Sequence, residues 1–110
     1  MESLLVLTNL PNRESAEQLA QLLVEQRLAA CVNILASCRS VYRWEGKGQC
    51  EDEIPMLIKT TKARYADLEA AVKAHHPYEL PEIIAVPVVA GLRGYLDWVG
   101  AQTTPELAAR

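Results

Sequence analysis

Three short runs in this chain are apolar at every position: Leu4-Leu5-Val6-Leu7, Met56-Leu57-Ile58 and Ile83-Ile84-Ala85-Val86. Successive side chains of a β-strand point to opposite faces of the sheet, so runs of this kind are apolar on both sides. A sheet with one face in water shows polar residues at alternate places instead. At about 25 cal/mol per Å² of apolar surface, an open face built from these residues is strongly unfavourable. Something has to cover it. With 110 residues the chain suits one domain, taken as residues 1–110, and has no third large helix to offer. Another copy of the chain is the simplest cover, so a homo-oligomer is expected. The competing reading is that a short terminal helix curls back over the face.

Composition narrows the partners. Half the residues are apolar and 23% are charged, as in an ordinary globular protein. The net charge is −3, with no Lys/Arg cluster, which argues against a nucleic-acid partner. No run approaches the roughly 18–20 apolar residues needed to span a bilayer, so no membrane partner is expected. The start, Met1-Glu2-Ser3, lacks the basic residues and long apolar core of a secretory signal, and a cytoplasmic location is expected. Cys31, Cys38 and Cys50 are odd in number and show no CxxC spacing, which fits reduced thiols.

Along the chain, Leu4–Thr8 reads as a first strand. Pro11-Asn12 ends it, and Asn12 is placed to cap a helix over about Arg13–Gln26. Ala16, Leu19, Ala20 and Leu23 form its apolar stripe. A second strand spans Cys31 to about Leu35 and resumes over Ser40–Trp44. Glu45-Gly46-Lys47-Gly48 is the turn, two of its four residues being glycine. Glu53–Thr60 is the returning strand. Thr60 or Thr61 then caps a helix with Tyr65, Leu68, Ala71 and Val72 on its apolar side. That helix ends near His75–His76, because Pro77 disfavours helical backbone in the residue before it. Ile83–Val89 is a last strand, at a sheet edge because of Pro87. A short helix carries Tyr95, Leu96, Trp98 and Val99, and residues 101–110 form a partly frayed tail. The order β-α-β-β-α-β plus a terminal helix is the ferredoxin-like α+β pattern, with both crossover helices on one face.

Two dense stretches stand out, Ser40–Lys47 and His75–Glu82. Phosphate-loop, nucleophile-elbow and paired-histidine metal signatures do not occur. Leu28-Ala29-Ala30 followed by Cys31-Val32-Asn33-Ile34, then Tyr42-Arg43-Trp44-Glu45-Gly46-Lys47, Leu57-Ile58-Lys59-Thr60, His76-Pro77-Tyr78-Glu79 with Pro81-Glu82-Ile83-Ile84, and Tyr95-Leu96-Asp97-Trp98 together resemble the CutA family of divalent-cation tolerance proteins. The resemblance runs from about Leu4 to Trp98. It implies a ferredoxin-like fold and a homotrimer whose subunits pair strands edge to edge. It also implies a link to tolerance of copper and other divalent metal ions, with metal binding proposed. The trimer is similar in architecture to the PII signalling proteins, which by itself licenses no function. Two departures from the family pattern are Pro55, expected near the hairpin end, beyond the first strand or at a bulge, and the pair Cys38 and Cys50. A turn over Glu45–Gly48 sets Cys50 opposite roughly Arg43, so no Cys38–Cys50 bridge is expected.

Each candidate site residue has two readings. Cys31 is a buried small hydrophobe or a soft ligand for copper or zinc. His76 is an imidazole favoured by a helix C-terminus or a metal ligand. His75 points about 100° away from it, a poor chelating partner. Glu79 and Glu82 are solvated or ion-paired carboxylates, or cation ligands. Lys59 pairs with Glu79 or Glu82, or contacts a ligand. Tyr42 and Trp44 pack at a subunit junction or line a pocket there with Glu45, Tyr78 and Trp98.

Three functions are weighed. A trimer binding copper or another divalent metal through Cys31, His76, Glu79 and Glu82 comes first. A small-molecule sensor built on the polar cluster around Trp44, Lys59 and Tyr78 comes second, and a partner-binding platform third. An enzyme is the weakest class, since no nucleophile with its base can be identified. No organic cofactor is expected.

Overall fold

Asn12 stops the first strand and starts the first helix, as its sequence position requires. Its side chain accepts from the Ser15 amide at 2.8 Å, satisfying one of the free donors of the first turn. The computed structural model describes residues 2–105. Its elements are β1 (Ser3–Leu10), α1 (Arg13–Glu25), β2 (Cys31–Ile34), β3 (Cys38–Trp44), β4 (Lys47–Thr61), α2 (Tyr65–His75), β5 (Ile84–Pro87) and α3 (Arg93–Gln102). The sheet order is β2-β4-β1-β5, every neighbour antiparallel, and β3 also pairs with β4. This is the expected α+β, ferredoxin-like arrangement, with β5 at an edge.

The β1–β4 ladder sorts side chains between two faces. Val6 opposite Ile58, Thr8 opposite Met56 and Leu10 opposite Ile54 point to one side and are buried. Leu19 and Leu23 of α1 and Leu68 and Val72 of α2 join them in one core, so both crossover helices lie on that face. The other face carries Leu5 and Leu7 of β1, Leu57 and Lys59 of β4, Cys31 and Asn33 of β2, and Ile84 and Val86 of β5. Helix α3 covers only the end of it, where Tyr95, Leu96 and Val99 line one small pocket with Leu5 and Lys59. The terminal helix does curl back, but Ile84 and Val86 remain 52% and 45% exposed.

Several local expectations are corrected. The hairpin turn is two residues, with Trp44 opposite Lys47, because Glu45 (φ 49°) and Gly46 (φ 79°) both take left-handed backbone, the type I′ geometry that matches strand twist. Cys50 therefore faces Val41, not Arg43, while Cys38 faces Glu53; the two thiols are free. The shorter turn also lets β4 begin at Lys47 instead of Glu53. Pro55 sits inside β4 opposite Asn9, in the gap where pairing with β3 has ended at Glu53 and pairing with β2 begins at Met56. Within a strand the N and C=O of one residue face the same edge, and the Pro55 carbonyl accepts from the Leu35 amide on the β2 side. The missing N–H thus faces that gap, and no rung to β1 is lost. Thr61 makes no side-chain cap and Thr60 donates instead to the Leu28 carbonyl at 2.6 Å, so a 3₁₀ turn over Lys62–Arg64 leads into α2. The first residues of the tail expected to be partly frayed are tied down: Arg27 donates to the Ala101 and Thr104 carbonyls at 2.7 and 2.6 Å, and Thr103 is buried. Positive charge at the C-terminal end of a helix is favourable there. Residues 106–110 of that tail lie outside the described residues.

Met56, fully buried in the centre of β4, tests this core. Met56→Ala is expected to lower unfolding free energy by about 2–5 kcal/mol, read as a lower denaturant midpoint with an unchanged slope at fixed protein concentration.

Candidate functional site

The type I′ turn makes β3 and the first half of β4 a projecting arm. It stretches the subunit to 49 Å on its long axis, against 23 Å on its short one. Cross-strand pairing puts Ser40 with Glu51 and Tyr42 with Gln49 on one face of the arm, with Trp44 towards the tip and Glu53 at the base. Arg39, paired with Asp52 at 3.2 Å and donating to Cys50 Sγ at 3.0 Å, belongs to the opposite face. The loop Pro77–Glu82 stands across from the first face, and arm and loop enclose a cleft of about 920 Å³ that Asn9 also lines.

His76 fixes that loop. Pro77 forces it off the helix into extended backbone (ψ 136°), so it is His75, not His76, that bonds the last turn, through Nδ1 to the Ala71 carbonyl. The His76 ring turns inward and is buried. Its Nε2 donates to the Asn9 carbonyl at 2.6 Å, and its Nδ1 accepts from the Tyr78 amide at 3.1 Å. The Tyr78 ring packs on it with centroids 4.8 Å apart. Asn9 Nδ2 in turn donates to Glu82 Oε1 at 3.2 Å. One imidazole thus ties the loop to the end of β1.

Carboxylates dominate the cleft: Glu51 and Glu53 from the arm, Glu79 and Glu82 from the loop, with no Lys or Arg in its lining. Their field acts on the phenols. Burial first, and then the Glu53 carboxylate beside it, push the Tyr78 phenol far above its ordinary range. Tyr42 moves the same way, from partial burial and then the neighbouring Glu51.

The candidate residues fall into separate places. Tyr42, Trp44, Tyr78, Glu79 and Glu82 meet at the cleft. Cys31 and Lys59 lie opposite each other at the far end of the sheet, four rungs from Asn9, or about 13 Å along the strand. There Lys59 Nζ hydrogen-bonds Asn33 Oδ1 and stands 4.0 Å from Cys31 Sγ. It does not reach Glu79 or Glu82, the pairing expected for it, because they belong to the other end. Tyr95 is pushed above its ordinary range by burial and by the Cys31 thiol, and Trp98 packs against it at 5.5 Å. Glu45 is at the arm's tip. Among the described residues no three His, Cys, Asp or Glu side chains come together as a metal-binding group. Both His76 nitrogens are already engaged. One subunit alone does not fit a resident metal centre made from Cys31, His76, Glu79 and Glu82.

Asn9, Gln49, Glu51 and Glu53 are the cleft residues that sequence reasoning missed. For the three arm residues the signal was parity: Gln49, Glu51 and Glu53 share the face of Tyr42 and Trp44 with a two-residue or a four-residue turn alike, and only their cross-strand partners shift. Asn9 carried no such signal.

Comparison with known proteins gives one consistent result. The family model described as CutA1 divalent ion tolerance protein matches residues 4–102. The divalent-cation tolerance protein CutA of Thermus thermophilus is 47% identical over 98 residues, covering 89% of this chain and 95% of that protein. The chloroplastic protein CutA of Arabidopsis thaliana is 43% identical over 101 residues, 92% of this chain and 56% of that protein. Among solved structures, the divalent cation tolerance protein of Thermus thermophilus superposes with a TM-score of 0.91 at 45% identity, covering 93% of this chain and 99% of its own. One titled a periplasmic divalent cation tolerance protein, from Archaeoglobus fulgidus, gives 0.90 at 37% identity with the same coverage.

A phenol whose folded value is raised above 10.0 contributes stability that is complete below that value and is lost as pH climbs through the folded one. Stability is therefore expected to fall above about pH 10. Ultraviolet difference titration, with Tyr78→Phe assigning the step, is expected to show the Tyr78 transition move down in Glu53→Gln but stay above the ordinary value, because burial is the larger cause. An unmoved transition contradicts the assignment of Glu53.

Proposed function

The chain belongs to the CutA1 divalent ion tolerance family, and on that premise we propose that it serves tolerance of divalent metal ions as a cytoplasmic, non-enzymatic homotrimer. In this reading residues 1–110 form one domain, and copper or another divalent ion is bound where subunits meet. The observation that carries it is the half-covered sheet face. Leu7, Leu57, Ile84 and Val86 lie on the side that no crossover helix covers, and α3 reaches only one end of it. Further copies of the chain supply the missing cover.

Assembly also bears on metal. Within a subunit the candidate ligands come singly or in pairs: Cys31 at one end, Glu79 and Glu82 at the other. A cation needs more ligands than that, so the proposed contacts are shared between neighbouring subunits, carboxylates serving the harder divalent ions and the Cys31 thiol the softer ones. His76 acts as the anchor of the Pro77–Glu82 loop, since metal ligation would cost it one of its two hydrogen bonds. Three free thiols accord with a reducing compartment. The relatives whose names place them in chloroplasts or the periplasm show that location varies within the family. No helix among the described residues is long and apolar enough to cross a membrane.

Competitive titration of the purified protein with Cu(I), Cu(II) and Zn(II) tests the reading. Dissociation constants below about 1 μM are expected, weakened at least tenfold for Cu(II) by Glu79→Gln/Glu82→Gln and for Cu(I) by Cys31→Ser. Leu57→Glu, which puts a carboxylate on the bare face, is expected to separate the subunits and abolish both. Binding weaker than micromolar in the assembled protein, or equal binding by all variants, contradicts it.

A further inference from the structure

Glu53 is 8% exposed, lines the cleft, and makes no ion pair among the described residues. The ion pairs found there are Arg39–Asp52 on the opposite face of the arm, Lys62–Glu2 and Arg64–Asp67. No Lys or Arg lines the cleft beside it, so a cation entering the cleft would be the first positive group to pair with it.

The cleft's shape and walls select the kind of cation. A bare divalent ion asks for several oxygens converging within about 2.0–2.6 Å, and the described residues hold no group of three acidic, His or Cys ligands. The carboxylates are instead spread over two walls, Glu51 and Glu53 on the arm and Glu79 and Glu82 on the loop. The same walls carry aromatic rings, Tyr42 and Trp44 on the arm and Tyr78 on the loop. Aromatic faces attract ammonium and guanidinium groups and also shelter the methylenes that join them. A volume of about 920 Å³ is that of a small-molecule site.

We propose that this cleft binds a small organic cation, an aliphatic polyamine or guanidino-amine, with one positive head at Glu53, the methylene chain across Tyr42, Trp44 and Tyr78, and the second head at Glu79 or Glu82. Such a ligand bridges the arm to the loop that His76 anchors. The site shares Glu79 and Glu82 with the metal contacts proposed above and differs from them in Glu53 and in its aromatic residues, which contribute nothing to ligation of Cu or Zn.

Calorimetric titration of the intact protein with spermidine and with agmatine, at fixed ionic strength and with Mg²⁺ as a non-aromatic-seeking comparator, tests it. Expected are dissociation constants below about 1 mM for at least one of the two amines, with Mg²⁺ at equal charge displacing neither. Glu53→Gln is expected to weaken binding roughly tenfold and Trp44→Leu at least threefold, while Glu17→Gln, on exposed α1 surface, leaves it unchanged. Trp44 is on the exposed arm, so its variant carries the test should Glu53→Gln fold poorly. Amine binding no tighter than that of Mg²⁺, or native affinity in Trp44→Leu, overturns the proposal. Copper binding that survives Trp44→Leu while amine binding weakens supports it and separates the two sites; loss of copper binding in Glu79→Gln/Glu82→Gln leaves the Glu53 head contact to be read from the amine titration alone, where native affinity in Glu53→Gln again overturns it.

Discussion

The eight-rung antiparallel ladder between β1 and β4 decides which side chains can meet anywhere else in the subunit. It is the centre of the sheet, with β2 and β3 hung on one side of it and β5 on the other. A slip of one residue would exchange its two faces. In the observed register Val6, Leu10, Ile54, Met56 and Ile58 close against α1 and α2, and Leu5, Leu7 and Leu57 are left on the other side. The same ladder puts Asn9 at its end, next to the His76 ring, and Lys59 near its start, next to Cys31. Where the cleft lies and why the thiol is remote from it both follow from that one alignment.

β4 serves two partners in turn. Its first half pairs with β3 to make the arm, its second with β2 to extend the sheet, and Pro55 marks the changeover. The arm carries the aromatic and acidic wall, while the loop after α2 carries the other. Pro77 ends the helix and turns His76 inward, and the imidazole converts that break into an attachment by bonding β1 on one side and the loop on the other. The cleft therefore depends on two local features, a type I′ turn and a helix-ending proline, each read by a buried polar contact or a cross-strand pair.

Much of this was legible from residue order. The Asn12 cap, the Leu19–Leu23 and Leu68–Val72 stripes, the edge strand with Pro87 and the helix stop before Pro77 all rest on local chemistry, and local chemistry is what periodicity reports. The site was legible in part. Trp44, Tyr42, Tyr78, Glu79 and Glu82 were singled out and do converge, but Glu51 and Glu53 escaped because they lie on the returning strand, outside the two dense stretches, although parity sets them on the face of Tyr42. Lys59 and Cys31 were grouped with the loop carboxylates because sequence spacing carries no distance across a sheet. The role of His76 was hidden for a related reason: its partner, Asn9, is 67 residues away in the chain. Coverage of the second face by α3 was weighed as an alternative and is half true, which periodicity alone could not apportion.

Beyond α3, Leu7 and Leu57 stay half-buried and Ile84 and Val86 exposed on the second face, and assembly is the cover proposed for them. Sedimentation equilibrium across a hundredfold dilution from about 100 μM measures this directly. A single species of three chain masses at every concentration is the expected result, with Leu57→Glu falling to one chain mass. A native protein sedimenting as a monomer at micromolar concentration would contradict the assignment of that face to a subunit interface.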